Sequence, residues 1–354
     1  MGYIIAVNAG SSSTKYSIFQ DGLEVEQVNF EVRKKVLPQK YLKDTTINAF
    51  VFRVVHGGEK FTKPLLVDQK VLKELKKISY LAPLHNPVQI SLMKKYLKSY
   101  PHIPCVAVFD TAFHTSIPEV NTTIAIPKKL RDSGVRKYGF HGISIASSLH
   151  TLKKLNKTIP QKIIVCHLGS GCSITAVKNG KSFDTSMGYT PLDGMLMMTR
   201  AGSIDPGIVL KMRNTKHVLN FESGMLALCG TSDMREVIKK NKAGDTSAQL
   251  AFQMFIQSAV KHIGSYAFEM GGCNCIIFTG AIGEGSSYVR EQICKRLEFF
   301  GIDIDAKINE QEKDDFCFST KKSKVEIWKI KARENQEMVR EAKSLLLPGS
   351  SSQR

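Results

Sequence analysis

The 354-residue sequence predicts an α/β protein of two related domains, on three observations. A chain of this length exceeds what one ordinary core absorbs. Short apolar runs that end in glycine turns alternate with stretches of helical periodicity. One such run, together with its turn, recurs roughly 160 residues further on.

The first copy is Ile4-Ile5-Ala6-Val7-Asn8-Ala9-Gly10-Ser11-Ser12-Ser13-Thr14-Lys15, which continues through Tyr16 and Ile18 to a turn at Asp21-Gly22. The second is Ile163-Ile164-Val165-Cys166-His167-Leu168-Gly169-Ser170-Gly171-Cys172-Ser173, followed by Ile174 to Val177 and a turn at Asn179-Gly180. Each predicts a β-hairpin whose tight glycine loop exposes backbone N–H groups, and such groups converge on phosphate oxygens. A third loop, Ile276-Ile277-Phe278-Thr279-Gly280-Ala281-Ile282-Gly283-Glu284-Gly285-Ser286, reads as a buried strand running into a glycine turn, with an amphipathic helix over Ser287 to Phe299. Strand, turn and helix N-terminus together suit an anion or nucleotide. No Gly-Lys-Ser/Thr follows, and the glycine spacing differs from the dinucleotide fingerprint.

Helical spacing marks 70–79, 87–99, 143–156, 246–270 and 334–346. The longest carries Leu250, Phe252, Met254, Phe255, Ala259 and Ile263, which reads as core. The last, Glu334 to Leu346, is expected to pack back on the first domain. Residues 31–50 are basic and poorly periodic, and Pro348 to Arg354 is expected to be mobile. The domain boundaries expected are 1–148 plus 332–354, and 149–331.

Composition narrows the function classes. Hydrophobic residues at 42% and charged residues at 23% exclude a disordered chain. No run approaches the ~18 apolar residues of a spanning helix. The opening Met1 to Val7 lacks a basic n-region and reads as a buried strand, and Ala6 stands where a myristoylation signal needs Ser or Thr. The eight cysteines are scattered in apolar runs, with Cys273 and Cys275 the one close pair, so reduced core thiols and a cytoplasmic location are expected. The net charge of +18 admits nucleic acid or an anionic membrane surface, but the lysines are dispersed pairs without interleaved aromatics. A site for small anions fits better.

Four groups of segments carry charge, histidine and glycine together: Arg53-Val54-Val55-His56-Gly57-Gly58; Ala82-Pro83-Leu84-His85-Asn86-Pro87; Val106 to His114, with Asp110 at a strand end; and Arg136 to Gly142 with Met198 to Pro206, holding His141 and Arg200. Singly, each reads as an ion pair, a satisfied histidine or a helix cap. Taken together with two glycine loops they are the inventory of phosphoryl transfer, in which cations and a metal stabilise charge spread over the equatorial oxygens.

Asn8 to Lys15, Arg53 to Gly58, Ala82 to Pro87, Phe109 to His114, Tyr138 to Gly142 and Gly202 to Pro206 follow in order the signatures of the acetate kinases, which this chain closely resembles over nearly its whole length. The resemblance implies two duplicated actin-like, ribonuclease-H-like domains with the active site in the interdomain cleft, ATP and ADP as substrates, Mg²⁺ (or Mn²⁺) as cofactor, and a homodimer formed through the second domain. It implies that Arg53 and Arg200 clamp the carboxylate and the migrating phosphoryl group, that His141 bonds the equatorial oxygens, and that Asp110 acts near carboxylate and metal. Asn8 and Glu334 would hold the metal, and His85 would be a supporting donor. Val55, Leu84, Phe140 and Pro191 match the methyl pocket. Lys15, His167, Leu168, Gly169, Ser170 and Gly171 would meet the phosphates. The adenosine would lie against Ala281, Ile282, Gly283, Glu284 and Gly285 and against Asp233, Met234 and Arg235.

The chain departs from the family pattern at Ser170 and Gly285, where asparagines are usual, at Phe52 in place of histidine, and at Arg333-Glu334-Asn335 in place of Asn-Glu-Glu. It is also short between Phe30 and Val51. The alternatives are a propionate or other short-chain carboxylate kinase, a pyrophosphate-using relative, or a nucleotide-binding protein impaired in catalysis.

Overall fold

A computed structural model describes residues 2–9, 13–31, 37 and 46–346. The first glycine loop at 10–12, most of the basic stretch 31–50 and the tail expected to be mobile lie outside the described residues.

Among the described residues twelve strands form two sheets: β1 (Tyr3–Ala9), β2 (Ser13–Gln20), β3 (Leu23–Glu31), β4 (Ile47–Val54), β5 (Leu65–Leu66) and β6 (Cys105–Phe109), then β7 (Lys162–Leu168), β8 (Cys172–Lys178), β9 (Lys181–Thr185), β10 (Cys275–Thr279), β11 (Phe316–Cys317) and β12 (Glu326–Lys329). Their orders are β3-β2-β1-β4-β6-β5 and β11-β12-β10-β7-β8-β9. Each sheet is a three-strand antiparallel meander, then two strands added in parallel, then a two-residue antiparallel edge strand. The repeat read in the sequence is therefore a repeat of topology. Both meanders turn where expected: Asp21 and Gly22 have φ of 51° and 91°, and Asn179 and Gly180 have 52° and 75°. Left-handed values at both turn positions match the twist of the flanking strands, and Asn, Asp and Gly tolerate them.

The chain divides into two compact units, one drawn from Met1–Thr115, Gly142–Ser147 and Arg333–Arg354, the other from Ser116–His141 and Ser148–Ala332. Residues 116–141, expected with the first domain, cluster with the second. Ser116 Oγ donates to the Ser182 carbonyl at 2.9 Å and Asn121 Nδ2 to the Phe183 carbonyl at 3.1 Å. Lys137 Nζ meets the Asp184 carboxylate at 2.6 Å. The segment is thus bonded to strand β9 and its surroundings.

In the first unit one face of the sheet (Ile5, Val7, Phe50, Phe52, Phe109) packs with Leu92, Met93 and Tyr96 of the helix Asn86–Ser99. The other face (Ile4, Ala6, Val51, Val106, Val108) packs with Ile143 and with Met338, Val339 and Ala342 of the helix Glu334–Leu346. This last helix covers the first sheet, as its apolar spacing anticipates. Helices at Gln69–Lys77, Gly142–Asn156 and Thr246–Glu269 fall within a residue or two of the sequence reading. The helix after the third glycine loop, expected to reach 299, ends at Lys295 and a short 3₁₀ turn occupies Glu298–Phe300.

Glu341 lies half-buried on the helix Glu334–Leu346. Burial pushes its carboxyl up to about 7, Glu337 adds to this, Arg340 opposes it, and Asp110 adds again. The folded protein therefore holds a proton that the unfolded chain releases above the ordinary value of 4.5, so stability falls as pH rises through this window. Glu341→Gln is expected to raise the melting temperature at about pH 8 and to leave it unchanged at about pH 4, measured by scanning calorimetry. An equal shift at both values would assign the effect to packing.

Candidate functional site

In the first unit, three strand ends bring charge together. β4 delivers Arg53, β6 ends immediately before Asp110, and Asn8 is the penultimate residue of β1. Arg53 Nε donates to both Asp110 carboxylate oxygens at 3.0 and 2.9 Å, and Nη2 donates to Oδ2 at 2.6 Å. Nη1 points the other way, 3.3 Å from Asn8 Oδ1 and 3.7 Å from Glu334 Oε2. Asn8 Nδ2 donates to the same Glu334 oxygen at 3.5 Å. Asp110 is 1% exposed. Burial raises its carboxyl above the usual aspartate range, against the pull of Arg53 and with a push from Glu334. Burial alone would lower the Arg53 guanidinium, but Asp110 and Glu334 outweigh it and raise it. A buried charge pair needs this fork-to-fork geometry to offset lost hydration.

The Asp110 carbonyl accepts the Gly142 N–H at 2.8 Å, and any side chain at 142 would collide with that carbonyl. Val55 is buried, and Leu84 and His85 are half-buried. Asn86, to which no function was assigned, ties these two segments: its Nδ2 donates to the His56 carbonyl at 2.9 Å and its Oδ1 accepts the His56 N–H at 3.3 Å. Lys15 faces Asn8 across the β1–β2 ladder.

In the second unit, β7 and β8 carry the glycine loop. The Gly169 N–H donates to the Gly171 carbonyl at 3.2 Å, and Cys172 Sγ donates to the Gly169 carbonyl at 3.2 Å. Burial holds that thiol up at about 12, so it stays neutral. Met198 N–H donates to the Ser170 carbonyl at 3.3 Å, binding the loop to the turn that carries Arg200. Arg200 Nη1 donates to the Pro191 carbonyl at 3.3 Å and lies 3.9 Å from Met197 Sδ. Among the described residues no carboxylate lies within ion-pair distance of it, and burial lowers its pKa. A half-buried guanidinium without a counter-ion is a site for an anion.

Two donors converge over Gly171. A Cβ added there would lie 3.4 Å from Arg200 Nη1 and 3.5 Å from His141 Nε2, so two donors face one small volume. His141 has a left-handed backbone (φ 61°, ψ 19°) just before the helix Gly142–Asn156. Its ring stacks on His167 at 4.1 Å and 20°, and its Nδ1 is 3.0 Å from Ser173 Oγ. Phe140 and Leu168 are buried, and Pro191 is half-buried.

The third loop differs from the expectation of an open glycine turn. Gly280–Gly285 is a short helix, and its first N–H is taken by Glu284 Oε1 at 2.9 Å. The same oxygen accepts the Ala332 N–H at 2.9 Å. One N–H at the start of that short helix is thus engaged by its own carboxylate. Arg290, missed in the sequence, is 2% exposed and donates to the Gly283 and Glu284 carbonyls at 2.9 and 2.8 Å. It holds the end that carries Gly285. Asp233 caps the helix Met234–Lys242 through the Arg235 N–H at 2.9 Å and pairs with the Arg235 guanidinium at 2.6 Å, while Met234 is buried beneath them. Arg235 is therefore committed to its own cap.

The duplicated topology defines the actin-like, ribonuclease-H-like class of α/β proteins. The profile of the acetokinase family matches residues 25–340. An acetate kinase of Carboxydothermus hydrogenoformans is 41% identical over 312 residues, covering 85% of this chain and 78% of that one. A crystal structure of the Entamoeba histolytica acetate kinase superposes with a TM-score of 0.90 at 32% identity, covering 97% of this chain and 99% of that one. A propionate kinase of Francisella tularensis gives 0.87 at 34% identity, covering 96% and 99%. The chain belongs to the acetokinase family.

Gly171→Ala is expected to fill the volume between Arg200 and His141 and to weaken ATP binding about tenfold, the worth of one charge-assisted hydrogen bond. Isothermal titration calorimetry measures it, and unchanged affinity would remove that volume from the anion site.

Proposed function

We propose that the protein catalyses reversible Mg²⁺-dependent phosphoryl transfer between ATP and acetate, giving acetyl phosphate and ADP. The observation that carries this reading is the uncompensated Arg200 guanidinium, facing with His141 the volume over Gly171. Membership of the acetokinase family supports it.

Acetate is already ionised at neutral pH, so its attack on phosphorus needs no strong general base. The barrier is the approach of two anions. Arg53 supplies positive charge toward the carboxylate through Nη1, while Asp110 grips its other edge and fixes the plane of the guanidinium. Val55 and Leu84 offer apolar contact to the methyl group. One added methylene costs ~1–3 kcal/mol of discrimination, so propionate is a poorer substrate and not an excluded one.

Among the described residues no group of three or more His, Cys, Asp or Glu side chains could hold a metal alone. The first unit offers instead the oxygens of Asn8, Glu334 and Asp110, a hard and sparse donor set. That set fits Mg²⁺, which is retained through one or two carboxylates together with substrate phosphates. Asn8 and Glu334 would hold it, and it would neutralise charge on the phosphoryl oxygens. On the second unit Arg200 and His141 donate to equatorial oxygens as charge spreads in the transition state. The loop His167 to Gly171 receives the ATP phosphates, and the adenosine lies along Ala281 to Gly285 and the Asp233–Arg235 segment.

Exposed Leu210, Phe268 and Phe299 on the second unit support a homodimer formed there. Eight free cysteines, six of them buried, support a reducing cytoplasmic setting. Among the described residues no helix is long and apolar enough to cross a membrane.

A second donor is favoured by one feature. Ser170 is exposed in the phosphate loop and lacks the amide usual at that place, which leaves pyrophosphate as a candidate donor. A hydroxamate assay with acetate and Mg²⁺, comparing ATP with pyrophosphate, is expected to give acyl phosphate with ATP. Product with pyrophosphate alone would replace the donor, and no product with either would refute the reading. Ser170→Asn is expected to lower the KM for ATP, read in the same assay. Arg200→Ala is expected to lower kcat by about 10²-fold or more in folded protein, the scale of a lost transition-state donor. Near-normal turnover would remove Arg200 from the transition state.

A further inference from the structure

We propose that Ser173 is a positioning residue for His141: its hydroxyl donates to His141 Nδ1 and thereby holds the ring proton on Nε2, the nitrogen that faces Gly171. This rests on the phosphoryl-transfer reading for its purpose, though not for its geometry.

His167 and Ser173 are direct partners across the β7–β8 ladder, so their side chains rise from the same face of the sheet. His141 uses both. Its ring lies flat on His167 at 4.1 Å, and its Nδ1 meets Ser173 Oγ at 3.0 Å. One rung of the ladder therefore fixes the plane of the imidazole and its rotation within that plane. The left-handed backbone of His141 sets the direction from which the side chain enters.

The direction of the hydrogen bond follows from the burial of the serine. Ser173 is 0% exposed, and among the described residues its hydroxyl meets no polar group other than His141 Nδ1. Were Nδ1 to carry the proton, the serine O–H would have no acceptor in a place water does not reach. With the serine as donor, Nδ1 accepts and a neutral ring carries its hydrogen on Nε2. That nitrogen and Arg200 Nη1 are the two groups within 3.5 Å of the volume over Gly171. The opposite tautomer would turn a lone pair toward a phosphoryl oxygen. A neutral donor that needs no protonation also spares the stacked His167 ring a charged neighbour.

The test begins with the ring nitrogens of the full-length protein, labelled with ¹⁵N-histidine and free of substrates, with His141 assigned by comparison with His141→Gln. The Nε2–H tautomer is expected, and a Nδ1–H tautomer overturns the proposal. This readout needs no turnover, so it stands even if no donor yields acyl phosphate. In the kinetic arm Ser173→Ala is expected to lower kcat about 10–100-fold, as for partners that orient histidine ligands, with both KM values within about twofold. Ser173→Thr, which keeps the hydroxyl, is expected to restore most of the rate. Adding Ser173→Ala to His141→Ala is expected to cost nothing more, because the two act as one unit. An unchanged kcat in folded Ser173→Ala, or a full additional loss in the double variant, overturns the proposal.

Discussion

Burial of positive charge governs this molecule. Two guanidiniums sit at the ends of loops and strands, and the fold treats them in opposite ways. Arg53 is gripped along one edge by a carboxylate that is itself 1% exposed, so the pair is costly to break and rigid. Arg200 is surrounded by a carbonyl and a thioether, with burial pulling its pKa down. One charge is satisfied and oriented by a carboxylate, and the other has only neutral neighbours. In the first unit the Gly142–Asp110 contact fixes the strand end beside Arg53, and in the second the Met198–Ser170 bond fixes the turn that carries Arg200.

Duplication explains how a single chain arrives at such a division. Each sheet pairs an antiparallel hairpin with parallel strands beside it, and the two copies have been furnished differently. The first acquired Arg53 and Asp110 at the ends of its parallel strands. The second kept its glycine loop lean and surrounded it with His141, His167 and Arg200. The second also took residues 116–141, whose bonds to Ser182, Phe183 and Asp184 outweigh their place in the chain.

Much of this was legible before the structure. The hairpins were, because Asp-Gly and Asn-Gly demand left-handed turns. The helix Glu334–Leu346 was, because its apolar residues recur at helical spacing. Arg53 with Asp110 could be placed at strand ends, but not joined, since their contact depends on the β4–β6 register. Ser173 was in plain view beside the loop and carried no signal, because its partner lies 32 residues away and arrives through an unusual backbone. Arg290 lies in a stretch that reads only as an amphipathic helix, and the fold shows it turned inward onto backbone carbonyls. Glu284 misled in the other direction: a glycine turn before a helix suggests open N–H groups, whereas a carboxylate four residues on had already claimed one.

The unmatched Arg200 has a consequence for handling the protein. A cation held in a partly dry place without a counter-ion recruits whatever anion the solution offers, and any ligand that prefers the folded state shifts the unfolding equilibrium by mass action. Sulfate or phosphate in a buffer would thus act as a silent stabiliser and, by the same contact, would compete with any phosphate-bearing ligand of that guanidinium. Two laboratories using different buffer salts would record different thermal midpoints and different apparent affinities for one and the same chain.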